Sequence, residues 1–446
     1  MHRYFHRIFA VSFILFFLFA PTLLCSKDFP VVLNMRERVE TINHLTELRL
    51  EKLLPRVMRE TGFDMWIILT QEDNVDAVFR TMTPLNTWNR RDLILLFYDR
   101  GQGKGIERLN ISRMNMRGLH ENAWDHRSKK ESRWECLARI VRERDPKRIG
   151  INESAVIWAA DGLSSTIKKR LINAVGGKYA KRLYSAEKLC TFWLETLLDE
   201  ELDLYERAVA ISHAIIAETY SNKVITPGVT IVDDLIYHYW QRAANLGLAK
   251  AFNPSFSIRG RHPDVIKKYG TKDRVIRRGD LLHCDVGVIY LRYHTDHQEW
   301  AYVLRRGEKD VPETFKKVMA EGNRLQDIFC GEFKLGLTGN QLLKNILTTA
   351  REKGIRKPKI YSHSVGYYLH EPGPLIGLPE EQEDTGGRGE VKLVYNSTFT
   401  AELSVTYPIP EWDGKELRMG LEQIIAFTKD STQFLDGRQT KFFIVK

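Results

Sequence analysis

Cysteine is scarce in this sequence, with five in 446 residues. Beyond the first 25 positions, Cys136, Cys190, Cys284 and Cys330 are widely spaced and form no Cys-x-x-Cys pair. That pattern excludes a zinc ribbon and a disulfide framework, although an exported chain can still join two such thiols. Long runs of one charge are missing as well. The formal charge is +10, yet the basic residues are scattered in pairs at 90–91, 129–130, 168–169 and 277–278. With no basic stripe or arginine-glycine tract, no nucleic-acid partner is expected. Neither an internal repeat nor a low-complexity segment is present. The hydrophobic fraction of 43% and charged fraction of 28% are those of a globular protein. At this length two domains are the default expectation.

The first 25 residues differ in kind. MHRYFHR is a basic leader, IFAVSFILFFLFA is an apolar run of signal-peptide length, and Pro21 breaks it before Lys27 and Asp28. Residues 1–25 therefore read as a signal peptide, with an uncleaved N-terminal anchor as the alternative. Cys25 does not make a lipoprotein site, because Leu24 is larger than the small residue expected before one. The expected location is exported, periplasmic or secreted, and any membrane contact would run through this segment.

Residues 35–62 carry leucines near the spacing of one helical face. MWIILT (65–70) and LILLFYD (93–99) are short apolar runs bounded by charges, hence buried strands. A helix around 132–143 precedes another strand candidate at 148–152. Such alternation predicts an α/β domain over 26–195. In it, Asp73, Asn74 and Asp76 read as loop caps rather than as a site. Residues 195–222 and 231–247 are predicted helices around the turn TPGVT (226–230). From 252 onward the pattern changes to short strands with one further helix over about 312–330, which makes 196–446 a second, α+β domain.

The chemistry concentrates in that second half. HCDVGVIYLRYHTDHQEW (283–300) reads as a hairpin carrying Asp285 and Asp296. A reversal at Tyr290–Leu291 would place the two aspartates directly opposite each other on one face. Two buried carboxylates side by side repel, so they share a proton or hold a cation, unless one of them is exposed in the turn. Downstream, YSHSVGYYLHEPGP (361–374) carries His363 and His370, NSTFTAELSV (396–405) carries Glu402, and MGLEQIIAFT (419–428) carries Glu422. Singly each is weak. Together they form an oxygen-rich donor set suited to divalent cations.

The order Asp, Asp, His in a Ser-His-x-x-Gly context, Glu, Glu resembles the aminopeptidase P/prolidase/methionine aminopeptidase/creatinase family. GDLLHCDVG, HTDH and SHSVGYYLHEPGP are similar to its ligand motifs, and the likeness spans roughly residues 35–430. The resemblance implies a creatinase-type N-terminal α/β domain followed by an α+β pita-bread metallopeptidase domain. It also implies a dinuclear site in which Asp285, Asp296, His363, Glu402 and Glu422 bind two divalent ions (manganese, zinc, cobalt or iron). Asp296 and Glu422 would bridge the ions, Asp285 would bind one, and His363 and Glu402 the other. Glu402 would handle the proton of the attacking water, and His370 would hydrogen-bond the substrate carbonyl. The expected substrate is a peptide with an N-terminal Xaa-Pro bond, and a homo-oligomer is expected.

The chain departs from the family pattern at identifiable places. A histidine usual upstream of the first aspartate falls on Lys268, and His262 is the nearest candidate for its catalytic role. Gln298 and Glu299 replace a small hydroxyl residue and an arginine, Leu403 and Ser404 follow Glu402, and Gly420 stands where an arginine is usual. These departures keep open an alternative reading, a catalytically impaired metal- or peptide-binding module. Hydrolysis of a non-peptide C–N bond, as in creatinase, is a third; creatinase works without metals, so five ligands argue against it.

Overall fold

The computed structural model describes residues 29–88, 91–128 and 130–446. The leader segment and Cys25 lie outside the described residues. Among those described, no helix is long and apolar enough to cross a membrane, and Cys136, Cys190, Cys284 and Cys330 are all unpaired.

The leucine-rich opening forms one helical rod in three pieces. Asn34 starts it with a capping box, its side chain accepting from the Glu37 amide while Glu37 reaches back. Helix Met35–Leu48 then widens into a π turn, Arg49–Leu53, before helix Leu54–Thr61. Pro55 lacks an N–H and crowds the preceding turn, and the widened turn lets the Leu54 N–H donate to the Arg49 carbonyl. Gly62, at φ 73°, ends the rod.

A six-stranded sheet follows, centred on Met65–Gln71, which pairs antiparallel with Asp92–Asp99 and parallel with Ile149–Ile151. Alternate residues of the central strand feed two cores. Met65, Ile67 and Leu69 pack with helices Arg133–Arg144 and Ser165–Ala180. Trp66 and Ile68 join a larger core built from the N-terminal rod and helix Glu187–Glu195. Both faces being covered explains why these strands are continuous apolar runs. Asp76 caps a short helix by accepting from the Phe79 amide at 2.8 Å, in line with the capping expectation.

The second half has two similar lobes. In the first, helices Asp199–Thr219 and Val232–Asn245 accompany a sheet ordered Phe443–Val445, His297–Val303, Asp280–Val286, Ser255–Arg261. In the second, helices Glu313–Gly331 and Gly339–Glu352 back the strands Leu403–Ile409 and Lys415–Leu421. The expectation of a single further helix is thereby corrected, since Gly339–Glu352 and the short Pro263–Tyr269 are also helical. Thr338 and Gln341 form a capping box for the former, and Leu342, Leu343, Ile346, Leu347 and Ala350 line its buried face.

The hairpin register also differs from expectation. Tyr290 pairs with Tyr293, so the chain reverses at Leu291–Arg292, both at positive φ (50° and 75°). This is the backbone of a two-residue hairpin turn. Asp285 consequently faces Gln298 across the ladder, not Asp296. Opposite Asp296 comes Gly287, where an added Cβ would lie 1.9 Å from the Thr295 carbonyl oxygen. The aspartates keep the same face because they differ by an even offset in register.

Candidate metal centre

The two lobes meet along an isolated bridge between Gln298 and Glu422, and all five candidate ligands collect along this seam. The hairpin contributes Asp285 and Asp296. His363 lies on the two-residue strand Ser362–His363, paired with Leu375–Ile376. Glu402 precedes Leu403–Ile409, and Glu422 follows Lys415–Leu421.

Ligand atoms of Asp296, His363 and Glu422 all lie within 4.8 Å of one another, and the three side chains are buried. His363 Nδ1 sits 3.2 Å from the Ser364 carbonyl, so Nδ1 carries the proton and donates. Its Nε2 lone pair is then free to face Asp296 Oδ2, 3.8 Å away. Burial, with His370 adding to it, pushes the His363 pKa down to about 3, which keeps the ring neutral. Asp296 and Glu422 are driven well above the usual carboxylate range, first by burial and then by the other carboxylates. Asp296 Oδ1 and Glu422 Oε1 are buried without a hydrogen-bond partner. Orphaned carboxylate oxygens facing a neutral imidazole fit a divalent cation, whose charge offsets their repulsion.

Asp285 and Glu402 stand outside that tight trio and line an adjoining cleft of about 250 Å³ with His283, Gln298, Arg259 and Arg418. Burial raises Asp285 to about 6, opposed by Arg259. Glu402 is raised to about 8, again chiefly by burial. His370 lies edge-on to His363 with ring centroids 4.4 Å apart and is itself exposed. His262 goes elsewhere: it caps the Pro263–Tyr269 helix, with Nε2 2.8 Å from Arg305 Nη1 and Nδ1 3.3 Å from Asp264. None of these contacts is with the five candidate ligands. The residue that the sequence reading missed is His283, buried in the cleft with its Nε2 unpartnered. The available signal was its position two residues before Asp285 on one strand, which puts both on one face.

These shifts have a measurable consequence. A carboxyl whose folded pKa is raised keeps a proton that the unfolded chain has already lost. Its contribution therefore favours folding at low pH and is lost as pH climbs through the folded value. Between about pH 7 and 8, above the range where histidines titrate in the unfolded chain, the chelator-treated protein should melt progressively earlier. Added Mn²⁺ should widen the difference in Tm as pH rises. An unchanged gap between the chelator and Mn²⁺ curves would contradict the crowding described.

Comparison with curated proteins gives no match. Among solved structures, the chain is similar to the X-Pro aminopeptidase of Thermotoga maritima, with a TM-score of 0.62 and 20% identity, covering 87% of this chain and 100% of that one. The Xaa-Pro dipeptidase of Bacillus anthracis gives 0.57 and 16%, covering 89% and 99%. The prolidase of Pyrococcus furiosus gives 0.51 and 16%, covering 86% and 98%. At these identities the likeness speaks to the fold, and it supports the pita-bread architecture. The sequence profile of metallopeptidase family M24 matches residues 203–429, the span from the first helix of the second half through the Glu422 strand. By that match, on top of the ligand order and the buried Asp296–His363–Glu422 trio, this chain belongs to metallopeptidase family M24 and is a hydrolase of that family.

Proposed function

We propose that the chain is an exported, metal-dependent peptidase that hydrolyses the N-terminal Xaa-Pro bond of peptides. The observation carrying this reading is the Asp296–His363–Glu422 trio with its two orphaned oxygens. The activities for which the similar structures are named supply the substrate class. A divalent ion bound there lowers the pKa of a coordinated water and polarises a carbonyl. Glu402, raised to about 8, is suited to accept and return a proton near neutral pH. His370, exposed beside His363, is placed to donate a hydrogen bond to the carbonyl oxygen. His370→Ala should lower kcat by about a hundredfold with little change in KM, the scale of losing one such donor. An unchanged kcat would remove His370 from the chemistry.

Export rests on the basic-then-apolar segment 1–25; N-terminal sequencing of secreted protein tests it. The division into a creatinase-type domain over 26–195 and a catalytic domain over 196–446, and a homo-oligomeric state, belong to the same proposal. The deciding experiment is a panel of Xaa-Pro dipeptides and longer peptides assayed with manganese, zinc, cobalt and iron. Cleavage ahead of proline supports the reading. Bound metal without any cleavage favours the second reading, a metal- or peptide-binding module. One observation favours that module: Gln298 pairs with Glu402, the carboxylate on which proton handling falls.

A further inference from the structure

We infer that the cleft beside the centre is a subsite for an acidic side chain, so that the first residue of the substrate is aspartate or glutamate. The inference rests on the metallopeptidase reading and names the Xaa of its Xaa-Pro bond. Arg259 and Arg418 line the cleft from opposite lobes. Among the described residues neither guanidinium has an ion-pair partner. Arg418 Nε donates to the Ser404 hydroxyl at 3.0 Å, and the Arg259 side chain makes no hydrogen bond. The third cation of the lining, Lys359, is held by Glu380 at 3.1 Å. The Gln298 carboxamide is engaged elsewhere, its Nε2 donating to Glu402 Oε1 at 2.8 Å and to Glu422 Oε2 at 2.9 Å.

Local structure aims both arginines. Strand Ser255–Arg261 is bulged between Ile258 and Gly260, and Arg259 is the extra residue, so its side chain leaves the ladder and turns to the cleft. Gly260 permits the bend, because an added Cβ would run into the Trp412 ring. Arg418 and Gly420 stand two apart on strand Lys415–Leu421 and share one face. Gly420 keeps that face open, since a Cβ there would lie 2.9 Å from Gln298 Oε1 and 3.9 Å from His283 Nε2. The charge of Arg259 reaches Asp285 and His283, and that of Arg418 reaches Glu402 and His283. His283 adds a buried Nε2 without a protein partner. The amino end of a substrate is an ammonium that seeks carboxylates, and Asp285 and Glu402 border this same cleft. The first residue is therefore the one that enters, and about 250 Å³ holds one side chain. With those carboxylates taken up by cations, the guanidiniums are the uncompensated charges. An aspartate or glutamate side chain meets two planar forks matched to its oxygens. An uncharged side chain forgoes that attraction, and a lysine is repelled.

The test compares kcat/KM for Glu-Pro-Ala-amide and Gln-Pro-Ala-amide in the Mn²⁺-loaded full chain, the amide removing the chain-terminal carboxylate. The acidic peptide should be favoured about tenfold, chiefly through KM, the scale of one charge-assisted hydrogen bond. Arg259→Gln and Arg418→Gln should each bring that ratio toward one, and Arg418→Glu should turn the preference to Lys-Pro-Ala-amide. A ratio near one in the parent, or the parent's ratio in both folded glutamine variants, would overturn the inference while leaving the metallopeptidase reading intact. A preference for free over amidated chain ends that both variants abolish would assign the arginines to the terminal carboxylate and overturn it equally. If no peptide is cleaved, the peptidase reading falls. Calorimetric affinities of the same two peptides then decide the subsite, and equal values would overturn it.

Discussion

Glu422→Gln should give a protein that binds no stoichiometric Mn²⁺ and turns over the proposed Xaa-Pro peptides at least about a thousandfold more slowly, near 4 kcal/mol of lost transition-state stabilisation. Glu422 is 1% exposed, and its Oε1 has no protein partner. Its charge is tolerated only with a cation or a proton, and burial followed by Asp296, Glu402 and Asp285 favours the proton in the metal-free protein. A glutamine keeps the shape and can still accept from Gln298 through its oxygen, but it removes the charge that holds the ion. The variant should therefore unfold no earlier than the parent in chelator, and it should lose the stabilisation that Mn²⁺ gives the parent. Titration calorimetry, initial rates and thermal melts read these effects separately. A variant that retains both a tight equivalent of metal and turnover would remove Glu422 from the centre.

Arg49→Leu should lower stability by about 3–5 kcal/mol, the scale for breaking a buried ion pair from one side. Arg49 Nη1 lies 2.6 Å from Glu201 Oε2, and both side chains are fully buried. The guanidinium also donates to the Thr196 and Trp193 carbonyls and lies over the Trp193 and Tyr367 rings at 4.5 and 4.8 Å. Glu201 in turn accepts from the Tyr293 and Tyr367 hydroxyls at 3.0 and 2.6 Å. Tyr293 stands three residues before Asp296, and Tyr367 four after His363, so the pair braces the segments that carry two candidate ligands. Removing Arg49 alone strands a buried carboxylate. Arg49→Leu combined with Glu201→Leu should recover a large part of the loss, because neither charge is then left without its partner. Urea denaturation of both variants checks this, and equal losses in the single and double variants would show that packing, not charge, dominates.

The candidate ligands were legible because their chemistry conflicts with their surroundings. A carboxylate in an apolar strand asks for a counter-charge wherever it occurs, and four of them with one histidine in a familiar order narrow the answer. The strands MWIIL and LILLF were legible for the converse reason, being buried on both faces. What escaped depended on geometry between segments. His283 lies in HCDVG, where apolar neighbours on both faces hide which side meets the cleft. Gln298 stood out as a departure, but its pairing with Glu402 and Glu422 needs the lobe-to-lobe bridge and the correct turn centre. Placing the turn one residue early assigns Asp285 the wrong partner. The Gly339–Glu352 helix did leave a trace, Thr338 with Gln341, that was readable as a capping box. Arg49 left none, since a π turn one step before a proline looks like ordinary helix in sequence.

The large core that receives Trp66 and Ile68 also contains Tyr205, Val286, Tyr293, Val365 and Tyr367. The back of the hairpin that carries Asp285 and Asp296 is therefore packed in the same apolar mass as the N-terminal sheet. A boundary drawn at residue 195 divides the sequence, but the free energy crosses it. The two halves are expected to melt as one cooperative unit, with a single heat-capacity peak. Isolated from its partner, residues 196–446 would expose that face to water and surrender the rigidity of the centre. The N-terminal half, which supplies none of the five candidate ligands, is in this respect the foundation on which the second half stands.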